Sequence, residues 1–477
     1  MIDQNSLENV NQLLRMIEKR QGGSIILKYL RGGEVESLSA RGFFRMVDCC
    51  AGRLDQLGLA AKHIGLMGAN RWQWMVYLCA VFRIGSTAVL LSPDLNREEV
   101  SQRAVQTDLT AVICDEELLH TVNGEKLTVV NMDEIPRAEL PFRESCAGPE
   151  DLACILFTSG TTAQSKAVMF SHRALIAGIC HDVIRFSFES QLAILPMHHI
   201  AGFASVLNTW YLGRVVCMGQ QMKYLYRYLE KMQPDYVLTV PSVLQVILKK
   251  LKYGGSNGSE LGWYLRMVGC GGARFPSDVI RFLNERNIRV LQSYGATEAG
   301  GIGFGWEMTP GCANSIGKPC PELETKIVEG ELYLRSKSLM NGYYGDPEAT
   351  REVLVDGWYA TGDLCEQDAD GFLYLRGRKK NLIILSNGEN VSPEQIESAL
   401  MNLGLSGEVM VGLESELITA FVYPENGWDE GRIEDLIRQY NASVPSYRQI
   451  MNLRIMDAPL AKTDLGKKIR YGVTGGN

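Results

Sequence analysis

A chain of 477 residues exceeds what one hydrophobic core ordinarily supports, so it predicts a large domain with at least one smaller companion. Hydrophobic residues at 46% and charged residues at 22% are the balance of a globular protein in water. A net charge of −7 argues against nucleic acid as a partner, because no basic excess is present to meet a phosphate backbone.

The N-terminal stretch MIDQNSLENVNQLLRMIEKR lacks the uninterrupted apolar segment of a secretory signal, and its leucines and isoleucine suit an amphipathic helix. Phe43, Met46, Val47, Cys50, Leu54 and Leu57 recur at helical spacing, and HIGLMG follows as a short strand. Trp74, Met75, Leu78, Cys79 and Phe82 mark a second helix, followed by the strand STAVLL. Further strands at 214–218, 235–240, 265–272 and 289–295 continue the alternation and predict largely parallel sheets covered by helices. Apolar runs such as TAVLL fall far short of the roughly 20 residues that cross a bilayer, so no integral membrane segment is expected.

The 12 cysteines are scattered without a C-x-x-C pair, and several, such as Cys79 and Cys154, sit in apolar runs. That pattern predicts buried, reduced thiols in a cytoplasmic protein in place of disulfides or zinc. The 6 histidines lack metal-ligand spacing, and the adjacent His198 and His199 are not expected to face one point.

A boundary is expected near RGRKK at 376–380, dividing the chain into domains 1–377 and 378–477. Beyond it, Ser392, Pro393 and Gln395 fit N-cap, first-turn proline and capping-box positions of a helix. The strands EVMVGL and LITAFVYP, and a helix with Ile433, Leu436, Ile437 and Tyr440 on one face, complete a small α+β domain.

The chemistry concentrates in ILFTSGTTAQSKAVMFSH, from Ile155 to His172. Small and hydroxyl residues expose backbone N–H groups and Oγ atoms, and a lysine adds one mobile charge, which together make a cradle for polyphosphate. A P-loop would lead into a helix, whereas an apolar β-like run follows Lys166 and only Ser171 resembles a helix cap. The loop is therefore expected to join two strands, which argues against a Walker-type NTPase or kinase. Strand ends at LPMHHIAG, GCGGARFP and SYGATEAGG supply further polar junctions where α/β folds gather ligands.

Taken in order, FTSGTTAQSKAVMFSH, LPMHHIAG, GGARFP, SYGATE, GWYATGDL, GRKKNLIILSNGENVSPEQIE and AKTDLGKKIR resemble the adenylate-forming superfamily of acyl- and aryl-CoA synthetases, adenylation domains and beetle luciferases. The resemblance implies an α/β chain with a large N-terminal domain of mainly parallel sheets and a small, mobile α+β C-terminal domain that rotates between two half-reactions. It assigns Thr158, Ser159, Gly160, Thr161, Thr162 and Lys166 to the departing phosphates, and Gly272, Ala273, Arg274 and Tyr294 to adenine. Thr297 and Glu298 fall near the α-phosphate and Mg²⁺, for which a carboxylate is a suitable hard ligand, and Asp363 and Arg378 near the ribose. Lys467 matches the C-terminal catalytic lysine, with Lys468 as the neighbouring register; Lys380 is the hinge, and Gly388 and Glu389 lie in the thiol-acceptor loop. His199 falls at the carboxylate end of an acyl pocket walled by Phe203, Gly269, Cys270 and Gly271, with core packing as the alternative for Phe203 and Cys270.

The implied activity joins a carboxylic acid to ATP, giving acyl-AMP and pyrophosphate, then passes the acyl group to CoA, with ATP, Mg²⁺ and CoA as cofactors. No aspartate follows LPMHH to pair with an α-amino group, so an aliphatic or aryl acid is expected in place of an amino acid. The alternatives are a carrier-protein phosphopantetheine as acceptor, and a non-catalytic adenylate-binding protein. Ala163, Ser165 and Ala167 replace the usual glycine, proline and glycine; because alanine reaches positive φ only at a cost, the loop is expected to take a different path.

Overall fold

The computed structural model describes residues 7–158, 165–180, 187–240, 243–244, 248, 264–271, 277–301, 304–385, 389–425, 427–462 and 468–470. Contacts divide the chain into two compact units, one built on the described residues up to 324 and on 334–359, the other on 325–333 and those from 360 onward.

In the first unit, a helix spans Val10–Gln21, started by Asn9, whose side chain accepts from the Gln12 N–H, and buries Val10, Leu13, Leu14 and Ile17. The helix predicted from Phe43 to Leu57 is the second in the chain, Ala40–Gln56, capped by Ser39, and the one predicted from Trp74 to Phe82 is the third, Trp72–Arg83. These helices pack into one large core with the strands His63–Met67 and Thr87–Leu91. A seven-stranded sheet has the order Gly342–Tyr343, Ala167–Ser171, Leu152–Phe157, Thr87–Leu91, His63–Met67, Ala111–Cys114, Thr128–Asn131. Its first two pairings are antiparallel and the rest parallel. An eight-stranded sheet has the order Phe304–Glu307, Arg289–Tyr294, Met267–Gly271, Tyr236–Thr239, Ser190–Ala193, Val215–Met218, Ile25–Arg31, Glu34–Ser39, parallel except at its two edge pairs.

The buried polar groups of this unit include His172, 1% exposed, whose Nδ1 accepts from the Val10 N–H at 3.2 Å. Burial pushes its pKa down to about 4. The unfolded chain takes up the proton near the ordinary histidine value of 6.5 and the folded chain only near 4, so native stability is full above 6.5 and declines as pH falls between those values. His172→Asn keeps an acceptor without the titration. Its urea midpoint is expected to fall less than that of the wild type between pH 7 and pH 5, by an amount worth about 1–2 kcal/mol. Equal falls would remove His172 from the acid response.

The second unit carries a three-stranded sheet in which Gly407–Glu414 and Leu417–Pro424 pair antiparallel and Asn452–Ile455 joins in parallel. The helices Pro393–Asn402 and Glu430–Ala442 cover it, the latter burying Ile433, Leu436, Ile437 and Tyr440 as its spacing predicts. One local expectation fails. Ser392 is the N-cap and Pro393 the first helical residue, but no capping box forms. The Ser392 hydroxyl donates to the Arg376 carbonyl at 2.6 Å, which takes it away from the helix N-terminus.

Candidate active site

The stretch that follows Leu152–Phe157 is anchored as a hairpin. Phe157 pairs with Ala167, and the Thr158 N–H donates to the Lys166 carbonyl at 3.1 Å. The ladder thus fixes Thr158 and Lys166 opposite each other, while Ser159, Gly160, Thr161 and Thr162 lie outside the described residues. Ser171 ends the returning strand and caps the helix His172–Ile179 by accepting from the Ala174 N–H. Ala167 sits in the strand, 1% exposed and without positive φ, so alanine costs nothing there and the path of this arm needs no glycine.

The short strand Gly342–Tyr343 pairs antiparallel with that arm, Tyr343 opposite Val168. Side chains alternate along a strand, so Lys166 shares the face of Val168 and meets Tyr343 diagonally. Its Nζ lies over the Tyr343 ring, 4.6 Å from the centroid. The Tyr343 hydroxyl donates to Glu298 Oε1 at 3.1 Å. Burial, and then the Glu298 charge, push the Tyr343 phenol far above its ordinary pKa, so it stays a donor.

Glu298 belongs to the single turn Thr297–Ala299 that follows Tyr294 at the carboxyl end of its strand. Its carbonyl accepts from the Met340 N–H at 2.8 Å, and the Ala299 carbonyl accepts from the Ser338 hydroxyl at 3.0 Å. Gly300 closes the turn at φ +75°, and a Cβ there would stand 2.3 Å from the Ser338 carbonyl oxygen, so glycine is required. Tyr294 is 8% exposed, whereas Gly272, Ala273 and Arg274 lie outside the described residues.

His199 is the N-cap residue of the helix Ile200–Tyr211. The His198 and His199 rings lie close in the tight turn before the helix, centroids 4.3 Å apart and tilted 43° to each other. Burial pushes His198 down to about 4, leaving it neutral at physiological pH. The turn is clamped by Asn70, whose amide donates to the Leu195 carbonyl at 2.7 Å and whose oxygen accepts from the Met197 N–H at 3.0 Å. Phe203 is fully buried in the large core. Cys270 and Gly269 present opposite faces of one strand, and the space above Gly269 is filled by Tyr236, whose hydroxyl would lie 2.6 Å from a Cβ there. Gly271 ends that strand.

Within the second unit, Asp363 and Arg378 are cross-strand partners joined by an ion pair at 2.7 Å, and Asp363 is 5% exposed. Lys379 pairs with Glu331 at 2.8 Å, which raises its pKa, and Lys380 is exposed in the turn Lys379–Asn381. Glu389 is exposed beside the strand Asn390–Val391; Gly388 and Lys467 lie outside the described residues. Lys468 is committed to structure, paired with Glu397 at 3.0 Å and bonded to the Val409 carbonyl.

Residues 15–344 match the model of the AMP-binding enzyme family, and residues 380–474 match its C-terminal domain. The chain belongs to the AMP-binding enzyme family. It is 27% identical over 429 residues to the 2-succinylbenzoate–CoA ligase of Bacillus mycoides (strain KBAB4), covering 85% of this chain and 86% of the relative. It is 28% identical over 414 residues to the peroxisomal OPC-8:0-CoA ligase 1 of Arabidopsis thaliana, covering 77% and 74%. In fold it is similar to O-succinylbenzoate coenzyme A synthetase from Bacillus subtilis in complex with AMP, with TM-score 0.85, 21% identity and 98% of both chains covered.

Two features of this AMP-binding enzyme escaped the sequence reading, Tyr343 and Asn70. Asn70 follows a predicted strand, and its position at a strand end was the available signal. A magnesium ion also fits the residues present. Among the described residues no three His, Cys, Asp or Glu side chains cluster into a cage. Mg²⁺ is commonly held by one or two carboxylates together with water and substrate phosphates, and half-buried Glu298 supplies such a carboxylate.

Proposed function

We propose that this chain is an AMP-forming ligase that joins an aliphatic or aryl carboxylic acid to CoA in two half-reactions at one site. The observation that carries this reading is the chain of contacts from Lys166 through Tyr343 to Glu298, which sets a cation beside a hairpin mouth and a carboxylate beside the turn after Tyr294. In the first step a substrate carboxylate oxygen bonds to the α-phosphorus of ATP as the α–β P–O bond breaks, and pyrophosphate leaves with the electron pair. In the second a thiolate sulfur bonds to the acyl carbon and AMP leaves. Neither step needs a covalent enzyme nucleophile, so the protein acts by positioning and charge stabilisation.

Thr158, Lys166 and the loop 159–162 hold the departing phosphates; Gly272, Ala273, Arg274 and Tyr294 receive adenine; Asp363 and Arg378 hold the ribose hydroxyls. The Asp363–Arg378 ion pair supports that assignment, since it holds an acceptor and a donor side by side. Mg²⁺ at Glu298 would neutralise phosphate charge. Thr297 contacts the α-phosphate, and His199 stands at the acid's carboxylate end with the Asn70 clamp behind its loop. Residues 378–477 form the lid that turns about Lys380, bringing Lys467 to the first step and the loop of Gly388 and Glu389 to the second. The names of the relatives, among them an anthranilate CoA ligase solved with anthranoyl-AMP, put aryl acids first among candidate substrates. Twelve free cysteines, most of them buried, accord with a cytoplasmic location.

The test is ATP–pyrophosphate exchange over a panel of carboxylic acids with product analysis. The right acid is expected to give AMP and pyrophosphate, and then a thioester on addition of CoA. ADP and phosphate as products would overturn the reading.

A further inference from the structure

We infer that Tyr343 is a positioning residue that holds the carboxylate of Glu298 and the ammonium of Lys166 in readiness for metal-bound nucleotide. This rests on the ligase reading and deepens it. Tyr343 is 5% exposed, and two interactions use different parts of it: the hydroxyl donates to Glu298 Oε1 at 3.1 Å, and the ring face receives Lys166 Nζ at 4.6 Å from its centroid.

Its placement is rigid. Tyr343 pairs with Val168, the Tyr344 N–H donates to the Ala167 carbonyl at 2.7 Å, and the Asn341 N–H donates to the Met169 carbonyl at 2.8 Å. The Asn341 side chain also accepts from the Ser171 N–H at 2.6 Å. The Thr350 hydroxyl accepts from the Tyr343 N–H at 2.9 Å. A ring held on both sides of its Cα has little freedom, so the two charged side chains share one fixed reference.

The chemistry explains why a tyrosine suits the place. The hydroxyl occupies one lone pair of Oε1 and orients the carboxylate, leaving Oε2 for a hard cation. The ring face attracts an ammonium without supplying a counter-charge, so it does not compete with phosphate for Lys166. An acidic residue in place of the ring would pair with the lysine and compete with the nucleotide.

Three variants separate these roles. Tyr343→Phe keeps the ring and loses the hydroxyl; Tyr343→Leu loses both; Glu298→Gln removes the charge on which the hydroxyl acts. The readouts are Mn²⁺ binding, followed by electron paramagnetic resonance in the presence of the non-cleavable α,β-methylene-ATP and without acid, and binding of the same nucleotide in EDTA. Tyr343→Phe is expected to weaken Mn²⁺ binding by roughly 10-fold while metal-free nucleotide affinity stays within about 2-fold of wild type. Tyr343→Leu is expected to weaken metal-free nucleotide binding as well, by roughly 3- to 10-fold. In the Glu298→Gln background, adding Tyr343→Phe is expected to change Mn²⁺ binding little, because the group it acts through is gone.

Wild-type Mn²⁺ affinity in Tyr343→Phe, or additive losses in the double variant, would overturn the inference. Wild-type protein that catalyses no pyrophosphate exchange with any acid overturns the ligase reading instead, so the two failures are distinguishable.

Discussion

Lys467→Ala is expected to slow acyl-AMP formation by roughly 10²–10³, the effect of removing one charge-stabilising donor from a transferring phosphoryl group. Thioester formation from supplied acyl-AMP and CoA should stay near the wild-type rate, because the proposed lid takes that lysine away from the site before the second step. Lys468→Ala has a different expected signature. Lys468 is ion-paired to Glu397, whose side chain is 8% exposed, and also bonds the Val409 carbonyl. Its removal leaves Glu397 with Arg470, at 2.7 Å, and the Val411 N–H, at 2.9 Å, and is expected to lower the stability of the small unit by about 1–3 kcal/mol with both half-reactions changed only a few-fold. Single-turnover assays of each half-reaction, with thermal unfolding of both variants, decide it. A crippled first step in a stably folded Lys468→Ala, beside an active Lys467→Ala, would shift the catalytic register by one residue.

Arg83→Ala should be among the most destabilising single changes in the large unit, by about 3–5 kcal/mol in urea unfolding. The guanidinium is fully buried and spends its donors on three partners: Nε to Asp48 at 3.0 Å, Nη1 to Asn11 at 2.7 Å and Nη2 to Glu18 at 2.8 Å. Asn11 and Glu18 lie on the first helix, Asp48 on the second and Arg83 on the third, so one side chain ties all three. Arg15 also reaches Glu18 and Asp48, at 3.0 and 3.2 Å, but from a more exposed position, and so recovers little of the loss. Arg83→Met with Asp48→Asn and Glu18→Gln should regain part of the stability by removing the orphaned charges together. A loss below about 1 kcal/mol for Arg83→Ala would show that water replaces the guanidinium at no great cost.

Periodicity revealed most of this fold because burial dictates it. LITAFVYP becomes Leu417–Pro424 unchanged, and the apolar faces at Val10–Ile17 and Ile433–Tyr440 are where their spacing places them. The hairpin Ile25–Ser39 was missed although its signal was present: Gly32 and Gly33 separate two extended runs, and both take positive φ, +59° and +95°, as a two-residue turn requires. Ser392 misled for a physical reason, since its hydroxyl had a competing carbonyl that local sequence does not reveal. Tyr343 was out of reach in the same sense. Its partners Lys166 and Glu298 are distant in sequence, and only strand pairing with Val168 brings them to one ring. The hydroxyls of the proposed phosphate loop stood out because their chemistry is carried in consecutive residues.

The hairpin mouth at Thr158 and Lys166 has a further bearing on how such a chain can change. Register is set by five paired residues before the turn begins, and the last bond, from the Thr158 amide to the Lys166 carbonyl, closes the ladder there. The ladder therefore holds the ends of the connecting segment at residues 158 and 166, and a closed loop costs only about 0.6 kcal/mol more for each doubling of its length. Variants lengthened between residues 158 and 166 are expected to keep the strand register that the ladder sets.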